Sequence, residues 1–524
     1  MEKQLVIFVT TATSSNRTPE ENLGLGYLAA ICRNKSIETL LIDGWLEELT
    51  SEDIISRILK QRHPLFVGFS CNLLTGDTAI DIVKQLKRKN YPSPLIAGGF
   101  APTLNPTKFL NAGFDFISIA EGENSISSFC DYLLDDKSDI SDVCGLCYYN
   151  KQKNLCYNKT DCALELDELP FPTRDTMGYV IKNKIPVNIS SSRGCTSSCL
   201  FCSIAAFWRT TNAPKWRGRS VNNIIDEIEE LYNKGARFFK FVDDSFIEPP
   251  RDGEWCNHFA NEIQKRGLKI QFRITMRADC VTEEIIEPLC RAGCNSIVLG
   301  VENFNDNALK RMGKKADAKQ NMIALDILKK YDIYVLHGFI LFDYKTNLLE
   351  LKENYEIMSR YSWVICKGIF SEMYAATGTL YTKLLRKKGL VNSDERYENY
   401  TYEIQDEQAK MAYKALKIWH INHMKIYDMM IEPMNKPRVL SKLGFSSFYK
   451  VYKEIRTRDL EFMRSVLDRI ENDVEPKLLD DFVLGEISKS KKWFEDCGQR
   501  VEDIYTSENI TYLAEEDPFT CVRN

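Results

Sequence analysis

The sequence predicts an α/β chain in three parts: an N-terminal doubly wound, Rossmann-like parallel sheet, a central (β/α)6 partial TIM barrel and a C-terminal α-helical region. Two observations carry this. Short apolar runs alternate with amphipathic helical stretches twice over, once across residues 1–135 and again from Val187. The alternation then stops, and from about residue 396 onward no strand-like run is evident. A chain of 524 residues is long enough for two or three separate cores.

In the first series, Leu5–Val9, Thr39–Ile42, Leu65–Phe69, Leu95–Ala97 and Phe114–Ile119 read as buried strands. Helical patterns lie between them near 23–34, 52–62, 76–88 and 123–134. A doubly wound sheet follows, and such sheets take ligands at the carboxyl ends of their strands. Residues 136–186 change character: polar hairpin-like segments precede LDELPFPTRD, where Pro170 and Pro172 interrupt regular structure, so they read as a linker.

The second series runs through Val187–Ser190, Phe238–Val242, Ile270–Ile274, Ser296–Gly300, Tyr334–Leu341 and Val364–Phe370. Helical patterns such as VNNIIDEIEELYNK (221–234) separate them, giving six β/α units over residues 187–395. Barrels of this kind do their chemistry at the strand C-termini. Residues 396–524, rich in Lys, Glu, Met and aromatics at helical spacing, read as a helical cap.

Lys plus Arg (69) against Asp plus Glu (74) leaves a net charge of -5, and no segment is strongly basic, which counts against nucleic acid as a partner. The N-terminal apolar run is only Leu5–Val9, short for a signal sequence, and no stretch approaches the roughly 20 apolar residues of a membrane span. The chain is therefore expected to be cytoplasmic. Its 17 cysteines are odd in number, scattered and often set in apolar runs, as at Cys32 and Cys366, which suits a reducing compartment.

One trio stands apart. SSSRGCTSSCLFCSIAAFW spaces Cys195, Cys199 and Cys202 as C-x3-C-x2-C, directly after the first strand of the second series. Three thiolates on one tight loop can hold three irons of a [4Fe–4S] cubane and leave the fourth open to bind and reduce a small molecule. A zinc site would want four closed ligands, and no second Cys or His pair lies at a suitable spacing nearby. Chance is the other alternative, and it accounts for Cys144/Cys147 and Cys290/Cys294.

At these residues the chain resembles the radical S-adenosylmethionine superfamily, whose signature is CxxxCxxC, often with an aromatic before the last cysteine, here Phe201. The resemblance implies that the open iron chelates S-adenosylmethionine. One-electron reduction by an external flavodoxin- or ferredoxin-type donor would then yield a 5′-deoxyadenosyl radical. FVDDSF (241–246), FRITMRAD (272–279), GVENFNDNALKRMGK (300–314) and YAATGTLY (374–381) continue the likeness. Gly300 and Glu302 match the family's G-x-E-S pattern, but Asn303 replaces the serine, and Thr377 replaces the usual proline of the last segment. Cofactor contacts are thereby implied for Phe201, Asp243, Arg277, Gly300 and Glu302. Salt bridges capping barrel strands are the plainer alternative for the charged ones.

Residues 1–135 resemble the cobalamin-binding domain of cobalamin (B12)-dependent radical S-adenosylmethionine enzymes. The matching segments are NLGLGYLAAICR (22–33), DGW (43–45), VGFSCN (67–72), AGGFAPTLNP (97–106) and AEGE (120–123). The residues suit a bulky ligand, since Gly98 and Gly99 let backbone approach it and Ser70 and Thr103 offer hydroxyls. The resemblance adds Asn72, Phe100, Pro102, Glu121 and Gly122 to the same surface. A generic nucleotide or flavin site is the alternative. The loop TTATSSNRTPEENLGLG after strand one lacks the D-x-H-x-x-G histidine that ligates cobalt in mutases and methionine synthase. Cobalt is therefore expected to have no histidine below it, with the nucleotide tail in the Ser70/Gly98 crevice.

What the likeness implies is a methyltransferase acting on an unactivated carbon, or phosphorus, of a small biosynthetic substrate. The radical abstracts hydrogen, and methylcobalamin supplies the methyl group. Two other readings stay open: a non-methylating radical reaction (ring contraction, cyclisation or oxidation) and a non-catalytic cobalamin-binding sensor. His420 and His423 in WHINH can face one way on a helix, where core or surface histidines are the plainer reading than a metal pair.

Overall fold

The computed structural model describes residues 3–12, 20–135, 138–160, 163–210, 213–331, 333–392, 399–435 and 442–513. The loop after the first strand, where the missing histidine bears on cobalt ligation, falls partly on residues 13–19, outside the described residues.

The first sheet holds β1 (Leu5–Thr10), β2 (Glu38–Asp43), β3 (Phe66–Ser70), β4 (Leu95–Gly98) and β5 (Phe116–Ser118), all parallel. Every residue of β1 is buried because helices cover both faces of the sheet, which is why it reads as an unbroken apolar run. Ile7, Val9, Val67 and Phe69 pack on one side against Ile54, Ile58, Ile82 and Val83. Val6, Phe8, Phe66 and Ile96 pack on the other against Leu25, Ala29, Ile126 and Phe129. The helix Leu23–Asn34 starts where the Asn22 side chain accepts from the Leu25 amide.

Two features depart from expectation. The segment read as a linker supplies β6 (Leu146–Tyr149) and β7 (Leu155–Tyr157), a hairpin that extends the sheet antiparallel in the order β2-β1-β3-β4-β5-β6-β7. Its polar residues belong to an edge that faces water, so the apolar signal was weak. Two short helices, Phe100–Leu104 and Pro106–Ala112, also fill the β4–β5 connection. Gly99 follows β4 at φ +97°, and a Cβ there would meet the Cys71 carbonyl oxygen at 2.7 Å.

The second sheet is parallel in the order β14-β13-β12-β11-β8. Its strands are β8 (Val187–Ile189), β11 (Phe238–Phe241), β12 (Gln271–Arg277), β13 (Cys294–Glu302) and β14 (Tyr334–Phe339). Between β8 and β11, β9 (Ser192–Gly194) and β10 (Trp216–Gly218) form a small antiparallel pair. The sixth run, Val364–Phe370, joins the barrel by isolated bridges, Leu336 to Ile365 and Phe342 to Glu372, rather than as a continuous strand. Gly368 turns it at φ +76° close against His420 and Tyr427, which breaks the pleat.

A strand does occur beyond residue 396: β17 (Asn399–Tyr402) pairs antiparallel with β15 (Ala375–Ala376) and β16 (Val391–Asn392). The Tyr402 hydroxyl donates to the Met373 carbonyl at 2.8 Å, so tertiary contact fixes a piece that local pattern leaves open. Three long helices follow, Glu407–Asn435, Lys442–Glu471 and Pro476–Leu513. They share one continuous core with the barrel, in which Trp419 stacks on Phe462 at 3.9 Å between ring centroids. Among the described residues no helix is long and apolar enough to cross a membrane.

Candidate functional site

Cys195, Cys199 and Cys202 lie on the loop that leaves β9 and enters the helix Ser203–Trp208. Gly194 precedes it at φ +90°, where a Cβ would stand 2.1 Å from the Lys215 carbonyl oxygen, so a side chain would push β10 away. Three carboxylates from the segment after β11, two of them buried and Asp244 half-buried, hold this loop. Asp243 accepts from the Ser191 amide at 2.7 Å and from the Ser191 and Ser192 hydroxyls. Asp244 accepts from the Gly194 amide at 3.0 Å and from the Trp208 indole at 3.4 Å, and burial pushes its pKa up to about 6. Glu248, fully buried, accepts from the Cys195 thiol at 3.2 Å, from the Thr196 hydroxyl and from Arg277 at 2.6 Å.

Burial pushes the Cys195 thiol up to about 11 and raises those of Cys199 and Cys202 as well. Among the described residues no three His, Cys, Asp or Glu side chains converge as ligands of a single ion do. A cubane takes one thiolate per iron and so needs its cysteines spread around it, which suits a loop of this spacing. Phe201 packs in the cluster formed by Met312, Met373 and Tyr381. The Leu200 amide and carbonyl bond to Met312 and Tyr381, which ties the loop to the segments after β13 and after the sixth run.

Glu302 ends β13 at φ +65°, left-handed backbone that is costly for a residue with a side chain. Its carboxylate pairs with Lys314 at 3.3 Å, and Lys314 also donates to the Gly300 carbonyl at 3.1 Å and lies near Cys199. Lys314 was not singled out by sequence reasoning; a lysine following the helix-ending Gly313 was the one available signal. Asn303, in the serine position, donates to the Ile340 carbonyl and accepts from Asn354 and the Asn305 amide, bracing the turn. Arg277 gives its guanidinium to Glu248, Asp279 and Thr196, and Asp243 spends both oxygens on Ser191 and Ser192. Both therefore buttress the cysteine loop.

A cavity of about 370 Å³ opens at the carboxyl ends of the first sheet. Ser70, Gly98, Gly99, Phe100, Glu121 and Gly122 line it from the first sheet, and Ser190, Arg193, Phe207, Trp208 and Val242 line it from the barrel. Phe8, Gly68 and Ile96 give it an apolar stretch of wall, and the Ser118 hydroxyl, also on its wall, is buried with no hydrogen-bond partner. A slot of this kind suits a heteroaromatic base with one polar edge. Ser70 and Gly99 also wall an adjoining, more polar cavity of about 430 Å³ with Thr10, Asn22, Asn72, Thr75 and Asn188. Among the described residues no histidine lines either one. Thr103 accepts from the Ala120 amide at 3.0 Å and Pro102 is buried within its helix, so these two support the cavity rather than line it.

Residues 10–129 match the B12 binding domain, and residues 189–356 match the Radical SAM superfamily. Over 65% of this chain and 74% of the other, the sequence is 26% identical to an uncharacterized methyltransferase of Pyrococcus horikoshii. It is likewise 26% identical to 4′-phospho-dehydrooxetanocin synthase of Priestia megaterium, over 71% of this chain and 53% of that one. The fold is similar to that of OxsB, a cobalamin-dependent S-adenosylmethionine radical enzyme solved with aqua-cobalamin and S-adenosylmethionine bound. The TM-score is 0.78 at 20% identity over 96% of this chain and 80% of that one. TsrM of Kitasatospora setae, a radical S-adenosylmethionine methyltransferase, gives 0.62 at 12% identity over 75% and 79%.

A B12-binding sheet set against a radical S-adenosylmethionine barrel, with one cavity walled by both, defines an enzyme that runs radical chemistry with a corrinoid beside it. This chain belongs to the cobalamin-dependent radical S-adenosylmethionine enzymes. Its cofactors are a [4Fe–4S] cluster, S-adenosylmethionine and cobalamin.

Proposed function

We propose that this enzyme is a methyltransferase acting on an unactivated carbon, or phosphorus, of a small substrate. The observation behind this reading is the cavity walled at once by Gly98–Phe100 and by residues flanking the cysteine loop, Ser190, Arg193, Phe207 and Trp208. Methyl transfer needs donor and radical source to reach one substrate atom. When bound, the cofactors supply a 5′-deoxyadenosyl radical and a methyl group.

The chain's own residues do the placing. Cys195, Cys199 and Cys202 would hold the cluster, and Glu248, Asp243 and Asp244 fix the loop that carries them. Glu302 and Lys314 would orient S-adenosylmethionine from the end of β13. Ser70, Gly98, Gly99 and Ser118 would receive the corrinoid's tail, with Asn72, Glu121 and Gly122 around its rim. The stacked pair Phe100 and Phe207 would help keep water from the gap where a carbon radical must survive. An external one-electron donor of flavodoxin or ferredoxin type would supply the electron.

The likeness to a methyltransferase of P. horikoshii supports this reading. The likeness to 4′-phospho-dehydrooxetanocin synthase, a name without methyl transfer in it, supports the runner-up, a radical rearrangement. One assay separates them. The reduced holoenzyme, given S-adenosylmethionine labelled in its methyl group, is expected to release S-adenosylhomocysteine alongside 5′-deoxyadenosine. Release of 5′-deoxyadenosine and methionine with no S-adenosylhomocysteine would overturn the methyltransferase reading.

A further inference from the structure

The cysteine loop is gripped at both ends by residues that also wall the 370 Å³ cavity. Two positions before Cys195, the Arg193 guanidinium bonds Glu121, on the turn after β5, at 3.0 Å and Glu123, the first residue of the helix Glu123–Leu134, at 2.6 Å. Arg217, paired with Arg193 across β9 and β10, adds a bond to Glu121 at 2.5 Å. Beyond Cys202, at the far end of the helix it leads into, Phe207 stacks on Phe100 with ring centroids 4.5 Å apart and planes 29° from parallel. Arg193, Glu121, Phe100 and Phe207 all line the cavity.

We infer that Arg193 and Phe207 are positioning residues that couple occupancy of this cavity to the geometry of the Cys195–Cys202 loop, so that bound cobalamin strengthens S-adenosylmethionine binding. The inference rests on reading the cavity as the cobalamin site and the three cysteines as cluster ligands. A ligand seated on Gly98–Phe100 and Glu121–Gly122 restrains the two turns that hold Phe207 and Arg193. Order imposed by the first ligand need not be imposed again by the second, and linkage makes the effect reciprocal. Arg193 suits the task because its planar fork meets two carboxylates at fixed angles, which a lysine cannot reproduce.

The alternative is that these contacts only fasten the two halves together. In that case their loss lowers stability and leaves the coupling alone. The test uses the full chain, reconstituted anaerobically with its cluster, with and without hydroxocobalamin. Iron and cobalt content are measured first. S-adenosylmethionine is then titrated against the electron paramagnetic resonance signal of the reduced cluster.

Cobalamin is expected to lower the S-adenosylmethionine Kd by about fivefold or more, the lower range of measured couplings. Arg193→Lys and, independently, Phe207→Leu should bring that ratio close to one at unchanged iron content and saturating cobalamin. Equal Kd values with and without cobalamin in the wild type overturn the inference, as does an unchanged ratio in Phe207→Leu, whose substitution leaves every buried charge paired. Wild-type protein that takes up no cobalt would overturn the cavity assignment itself.

Discussion

Glu302 carries its side chain on left-handed backbone, a cost of about 1–3 kcal/mol that the surrounding bulge and the Lys314 pair sustain. Such strain is maintained where orientation matters. Glu302→Gln should keep the iron content and weaken S-adenosylmethionine binding about tenfold or more, because charge-assisted hydrogen bonds contribute about 1.5–3 kcal/mol. An unchanged affinity in a titration of the reduced cluster would leave Glu302 as a brace for Lys314 only. Cys195→Ala, Cys199→Ala and Cys202→Ala combined should abolish the cluster absorbance, while Cys280→Ala, on the neighbouring turn after β12, should retain about four irons per chain. The cysteine trio and Glu302 stood out in the sequence because a fixed spacing along the chain carries the resemblance. Lys314, Asp244 and Glu248 did not, since they meet their partners only through folding: Lys314 reaches Glu302 across 12 residues, Asp244 reaches Gly194 across 50 and Glu248 reaches Cys195 across 53.

Strands buried on both faces announced themselves as apolar runs, and β1 to β5 fell close to their expected positions. The features that escaped are those fixed by contact: the docking of the β6–β7 hairpin onto the edge of the first sheet, the β9–β10 pair beside the cysteine loop, and β17 against β15. The sixth barrel run was over-read, because its apolar pattern hides the turn that Gly368 makes. At this scale the proposed tail slot beside β3 and β4, lined by no histidine among the described residues, predicts cobalamin with no protein nitrogen on cobalt. Electron paramagnetic resonance of the cob(II)alamin state should show no nitrogen splitting from a lower ligand; such splitting would contradict the slot assignment. In the cap, Asp459 accepts from the Trp419 indole at 2.8 Å and the Tyr427 hydroxyl at 2.7 Å, and burial pushes its pKa up to about 6. A carboxyl whose pKa is higher folded than unfolded stabilises fully below the unfolded value, near 4, and loses that contribution as pH rises through 6. Stability should therefore decline from pH 4 to 7 by on the order of 3 kcal/mol from this group. Asp459→Asn, whose amide oxygen can accept both bonds, should flatten that slope in urea unfolding followed across this pH range.

At the scale of the molecule, the two sheets meet with their strand C-termini together, an arrangement that follows from where each kind of sheet binds its ligands. What holds them there was not legible, because it is a lattice of charges drawn from distant segments. Arg174, almost wholly buried, bonds Glu21 of the first sheet's loop at 2.5 Å and Glu227 of a barrel helix at 2.6 Å, and Glu21 also accepts from the Asn188 amide. Arg174→Met would strip the buried Glu21 carboxylate of its cation, while Glu227 keeps Arg219, and should cost about 3–5 kcal/mol, read as a lower urea midpoint. A shift within about 0.5 kcal/mol would mean the lattice is ornamental to stability. The hairpin that finishes the first sheet has a consequence in time. Its last residue, Tyr157, is made about 45 residues before Cys202, and at roughly 5–20 residues per second several seconds pass between them on the ribosome. The first sheet can thus be whole while the last cysteine of the trio is still unmade, and Arg193, synthesised in that interval, arrives at carboxylates already in place.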